Sequence, residues 1–145
     1  MIVYKALLFV HITSFALWMG AVVASLLVVR TLESRLTDAA AFREGDDKLL
    51  RGYISKEVKL VDVVFTAVIL SGVLLAQFYT GWTTWVAIKM ILIFAQFAAT
   101  IGFIHRYVRS LTYPTTPDLY RRWYVLFTIS LSFFTVILLV VFFGR

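Results

Sequence analysis

Four long apolar runs constrain this chain more than any other feature. They cover about 3–29, 58–79, 82–104 and 123–143. Each supplies the ~20 residues that a helix needs to cross a bilayer. In lipid the backbone must satisfy its own hydrogen bonds, so continuous runs of this kind are helices. The sequence therefore predicts an all-α fold: a single transmembrane domain, 1–145, built as an integral membrane four-helix bundle. Pro114 and Pro117 both fall outside the runs, so no proline kink is expected within a span. The first run is too long for a signal-peptide core and lacks a basic start followed by a small-residue cleavage site, so it reads as a retained span.

Composition agrees. The chain is 61% hydrophobic, more than a water-soluble fold of 145 residues can hide. Cysteine is absent, which removes disulfides, thiolate metal sites and cysteine nucleophiles. The net charge of +6 would suggest nucleic acid in a soluble protein. Here the basic residues flank apolar runs, so they read as orientation signals, with the lipid bilayer as partner and no nucleic acid. Arg30, Arg35, Arg43, Lys48, Arg51, Lys56 and Lys59 crowd the first connection, and Arg106, Arg109, Arg121 and Arg122 the third. The opposite face carries Lys5 and Arg145. The positive-inside rule then predicts two cytoplasmic basic connections and both termini outside. Tyr4, Trp82 and Trp85 suit the outer interface; Tyr107, Trp123 and Tyr124 suit the inner one.

The first connection looks helical at both ends, with a break expected near Glu44–Asp47. The second, Thr80–Gly81, is short enough to make a tight hairpin of spans two and three. The third, with both prolines, reads as a loop. Small residues recur at four-residue spacing: Gly20 and Ala24; Ala67 and Ser71; Gly72 and Ala76; Ala95 and Ala99; Ala98 and Gly102. Such pairs let helices approach closely, and together they favour one compact bundle.

Few residues could carry chemistry. His11 lies about eight residues into span one and Lys89 about seven into span three, and both spans run inward. At 1.5 Å per residue the two side chains sit at one depth, roughly 10–12 Å below the outer surface. Ionisable groups at that depth are costly and point to function. Trp18 follows His11 by two turns on one face, and Gln96 follows Lys89 in the same way. The four residues could line one cavity. A neutral imidazole can ligate haem iron between helices, so His11 is the candidate metal ligand. Its alternatives are proton transfer or a hydrogen bond to Thr or Ser in span four. Lys89 could hold a propionate or a substrate carboxylate, act as a proton donor, or simply snorkel to the interface. Gln96 could bond another helix.

His105 lies roughly 20 Å deeper than His11, so the two cannot share an iron. With two histidines in the chain, a di-haem design is excluded. His105 is expected to be an interfacial contact. Asp62 follows Lys59 by three residues, and a local ion pair is its simpler reading beside proton uptake. Met19 and Met90 could be soft metal ligands, although apolar cores use methionine freely.

The segment from Lys5 to His11, followed by Trp18-Met-Gly20, resembles the first span of HemJ-type protoporphyrinogen oxidases and of the related CopD-type copper-resistance membrane domains. Ser71-Gly72, then Gly81-Trp82 and Trp85 through Lys89-Met90, resembles their next hairpin. The likeness reaches from about Lys5 to Arg109. It implies a haem b ligated by His11, a functional Lys89 and removal of electrons from protoporphyrinogen IX. Two family elements are missing: a Pro-Arg pair near the end of span one, where this chain has Leu27-Val-Val-Arg30, and a Tyr-His late in span three. The CopD side of the resemblance implies copper or small-cation handling, without a dense His and Met cluster here. A third reading is a non-catalytic accessory subunit of a larger membrane complex, or a homo-oligomer. The expected location is a bacterial plasma (inner) membrane, with multiple passes.

Overall fold

The computed structural model describes residues 1–38, 41–111 and 113–143. Among them it contains four α-helices and no strand: α1 (Ile2–Thr37), α2 (Asp46–Leu75), α3 (Thr84–Tyr107) and α4 (Pro117–Phe143). All four are long and apolar enough to cross a membrane. The all-α four-helix architecture expected from the apolar runs is therefore what the chain adopts. Arg145, one of the two charges assigned to the outer face, lies outside the described residues.

α1 and α2 outrun their apolar stretches. At 1.5 Å per residue α1 is about 54 Å long, against a hydrocarbon core of about 30 Å. The break between them falls where the sequence places it. α1 ends at Asp38 in extended backbone. α2 starts behind Gly45, whose φ of 97° is a left-handed conformation that glycine adopts freely. Asp46 and Asp47 then occupy the first turn, where carboxylates complement the helix dipole.

α2 closes in a π-helical turn, Ala76–Thr80, and the chain reverses through Gly81 at φ 74°. Thr83 caps α3 by accepting the Val86 N–H at 3.3 Å. The third connection is shorter than its prolines suggest. Pro117 opens α4 rather than sitting in a loop. This is the first-turn position, where its fixed φ suits the helix and its missing N–H leaves nothing unpaired.

Neighbouring helices run antiparallel. Tyr4 meets Tyr79 at 5.3 Å between ring centroids, and Phe15 meets Phe134 at 5.3 Å. Both described chain ends thus lie at one end of the bundle, and the two basic connections at the other. α1 packs along α2 and α4, and α3 packs chiefly on α4. The α2 and α3 backbones stay further apart, bridged by Phe65 and Phe97, stacked at 4.7 Å.

Two apolar clusters hold the bundle. One lies within the apolar runs: Trp18, Val64, Val68, Ile93, Phe134 and Ile137. Trp18 stands edge-on to Phe65 at 5.2 Å and to Phe134 at 4.8 Å. Lipid tails are as apolar as these side chains, so packing contacts rather than water exclusion stabilise this layer. The second cluster lies toward the basic end and joins Val29, Leu32, Leu36, Leu50, Leu111, Tyr120 and Phe127. Its members beyond the apolar runs face water when exposed, so there the hydrophobic effect operates, at ~25 cal/mol per Å². Phe42 and Tyr113 stack at 3.9 Å and tie the first connection to the third.

The small residues do not all mark helix contacts. Ser71 and Ala76 are buried. Ala95, Ala98, Ala99 and Gly102 are exposed on α3. Lys89, Ile93, Gln96 and Thr100 form the inward stripe of that helix, and the small residues occupy its other side. Gly20 and Ala24 likewise lie in an outward groove rather than under a packed helix.

Candidate functional site

α1 carries one inward stripe, in which Ser14, Trp18, Ala21 and Ser25 recur at spacings of three and four. His11 extends that stripe by one turn toward the end bearing the chain termini. It is half-buried rather than enclosed. Its Nδ1 lies 3.1 Å from the Val68 carbonyl oxygen and 3.1 Å from Ser71 Oγ. A carbonyl can only accept, so Nδ1 carries the proton in this geometry. Ser71 donates its own proton to the Ala67 carbonyl and is free to accept from His11.

The tautomer follows. With Nδ1–H held by α2, Nε2 keeps the lone pair, and no hydrogen bond engages it among the described residues. The partner differs from the Thr or Ser of span four suggested by the sequence. It lies in span two, because α1 packs most extensively on α2. Gly72 makes room for the ring: a Cβ there would stand 3.0 Å from His11 Cε1 and 3.5 Å from Nδ1.

Lys89 is half-buried on α3. Gln96 is 1% exposed, and its Oε1 has no hydrogen-bond partner among the described residues. The helix-to-helix bond expected of Gln96 is not made through that oxygen. Thr100 Oγ1, one turn on, is also buried and unpaired. Trp18, 5% exposed, belongs to the aromatic layer beneath His11, level with Ile93.

Other candidates fall away from this centre. His105 is exposed near the basic end of α3. Lys59 and Asp62 are exposed and form no ion pair with each other; the described ion pairs are Arg35 with Asp46 at 3.6 Å and Arg51 with Asp47 at 3.1 Å. A basic residue three positions before an acidic one is the weaker helical arrangement, which accounts for the missing pair. Met19 packs against the Trp18 cluster. Among the described residues no group of three or more His, Asp or Glu could hold a metal ion.

The sequence reading missed Ser71 and Gly72 as partners of His11. Their four-residue register with Ala67 and Ala76 marked a close helix contact without showing what it enclosed. Comparison with protein-family models, with characterised proteins and with solved structures gives no match.

Proposed function

We propose that the protein is a haem b-binding integral membrane protein of HemJ-like type, in which Nε2 of His11 would hold the haem iron. The observation that carries this reading is the anchoring of Nδ1 by Val68 and Ser71. Histidines that ligate metals characteristically donate their other ring N–H to a carbonyl or similar acceptor, which fixes the ring and raises the basicity of the ligating nitrogen. The donor set fits haem better than a copper site, since haem brings four nitrogens of its own and needs as little as one side chain from the protein.

When bound, the haem supplies one-electron redox chemistry. The chain's residues hold and orient. Val68, Ser71 and Gly72 set the imidazole plane. Lys89 would hold an anionic group, either a propionate or a substrate carboxylate, and offset the cost of that charge in a medium of low dielectric. Trp18 closes the apolar floor, and Gln96 offers an acceptor from α3. On the HemJ-like reading, electrons taken from protoporphyrinogen would pass by way of bound haem to a separate electron acceptor, with the released protons going to solvent, at a bacterial inner membrane with the basic connections in the cytoplasm.

The test is a visible spectrum of the purified protein. A Soret band is expected; it should vanish or shift strongly in His11→Ala and persist in His105→Ala. Equal loss in both folded variants would overturn single ligation by His11. A second reading, as a non-catalytic subunit of a membrane complex, draws on the exposed small-residue side of α3, where Ala95, Ala98, Ala99 and Gly102 permit close approach of another helix. A protein that co-purifies with partners and has no Soret band would favour it.

A further inference from the structure

A second polar site lies at the other end of the bundle, independent of the haem reading. Arg30 is the first residue past the apolar run of α1, and Glu33 follows one turn later. Opposite charges at this spacing are neighbours, with about 5–6 Å between Cβ atoms, but with the basic residue first, as for Lys59 and Asp62, they pair only weakly. These two do not pair: among the described residues Arg30 forms no ion pair, and the Glu33 carboxylate instead takes a hydrogen bond from Tyr124 of α4. The residues line an open cavity of about 330 Å³ at the protein surface, formed by Leu26, Arg30, Glu33 and Tyr124.

The cavity thus presents a cation and a carboxylate held apart. Its depth is that of lipid headgroups. Glu33 stands four residues past Val29, about 6 Å along the helix, and the headgroup zone is some 5–8 Å thick on each side of the hydrocarbon. We infer that this cavity binds the zwitterionic headgroup of an aminophospholipid, with its phosphate on Arg30 and its primary ammonium on Glu33. Arg30 matches a phosphate through its planar fork of donors. Glu33, oriented by Tyr124, keeps acceptor capacity for an N–H donor. A purely anionic headgroup would meet Glu33 as a like charge. A choline headgroup carries no N–H to donate.

The test uses the full chain purified in detergent and titrated with phosphatidylethanolamine, phosphatidylcholine, phosphatidylglycerol and free phosphoethanolamine. Binding is read by native mass spectrometry, and folding by circular dichroism. Phosphatidylethanolamine should bind roughly tenfold or more tightly than the other two lipids, the expected scale for a charge-assisted hydrogen bond. Arg30→Gln and Glu33→Gln should each lose about that factor, and Arg121→Gln should not. Tyr124→Phe, which releases Glu33 to pair with Arg30, should also weaken binding. Phosphatidylglycerol binding as tightly as phosphatidylethanolamine would overturn the proposal, as would selectivity surviving in Glu33→Gln. Phosphoethanolamine binding as tightly as the lipid would replace the membrane source with a soluble one and overturn the lipid assignment.

Discussion

The Nδ1 atom of His11 lies 3.1 Å from the carbonyl oxygen of Val68, across the α1–α2 contact. That carbonyl belongs to a helix interior, where it also serves the backbone ladder. It accepts a second donor through its remaining lone pair. Ser71 makes the anchor bifurcated. The ring is therefore held by two groups one turn apart, and the two can be tested separately.

Ser71→Ala leaves the Val68 contact in place and should weaken haem occupancy by about tenfold, the lower end of effects seen for groups supporting a metal ligand. Gly72→Val inserts a branched side chain where even a Cβ would stand 3.0 Å from the ring, and should reduce occupancy further. Haem-to-protein ratios from Soret absorbance check both. Wild-type occupancy in Gly72→Val would show that the ring is not confined there.

Lys89→Met removes a charge while roughly keeping apolar bulk. The variant should insert and fold but lose haem occupancy or redox turnover, and Lys89→Arg should retain more. Spectra and turnover equal to wild type in Lys89→Met would reduce the lysine to a snorkelling side chain.

Leu36 is 0% exposed in the cluster toward the basic end. Leu36→Ala should cost about 2–5 kcal/mol, read from denaturant unfolding in detergent. Leu49 is 65% exposed on α2, and Leu49→Ala should stay within about 0.5 kcal/mol.

Tyr120 is fully buried, and burial together with the Glu33 charge pushes its hydroxyl up to about 12. In the unfolded chain tyrosine ionises near pH 10. The folded state holds the proton more tightly, so stability is complete below about pH 10 and falls as pH rises toward 12. Melting temperature against pH should show this fall, and Tyr120→Phe should make it shallower.

The chain lacks cysteine, so single cysteines report sidedness without background. Ile2→Cys should react with an impermeant thiol reagent in intact cells, and Glu44→Cys should not. The reverse pattern would invert the orientation assigned by charge.

How much of this was legible follows from the physics of each feature. The four helices were, because hydrocarbon leaves the backbone no alternative. The break at Gly45 was, because acidic and glycine residues interrupt the pattern there. Residue counting placed His11 and Lys89 at one depth, but depth alone does not fix the distance between two side chains on different helices. The identity of the partner, Ser71, was not: depth carries no information on which of two neighbouring helices faces a side chain. Nor was the outward placement of Ala98 and Gly102, since spacing alone does not say which side of α3 turns inward. The Glu33–Tyr124 bond joins residues 91 positions apart, and no local pattern encodes it.

The two apolar clusters are stacked along the bundle axis, and His11 sits on the far side of both from the basic connections. Beneath it comes the Trp18, Phe134 and Ile137 layer, then Leu32, Leu36, Leu50 and Tyr120. A proton or polar solute approaching from the basic end would meet two dry plugs in succession. An axial route to the imidazole from the basic end would therefore have to run past both apolar clusters.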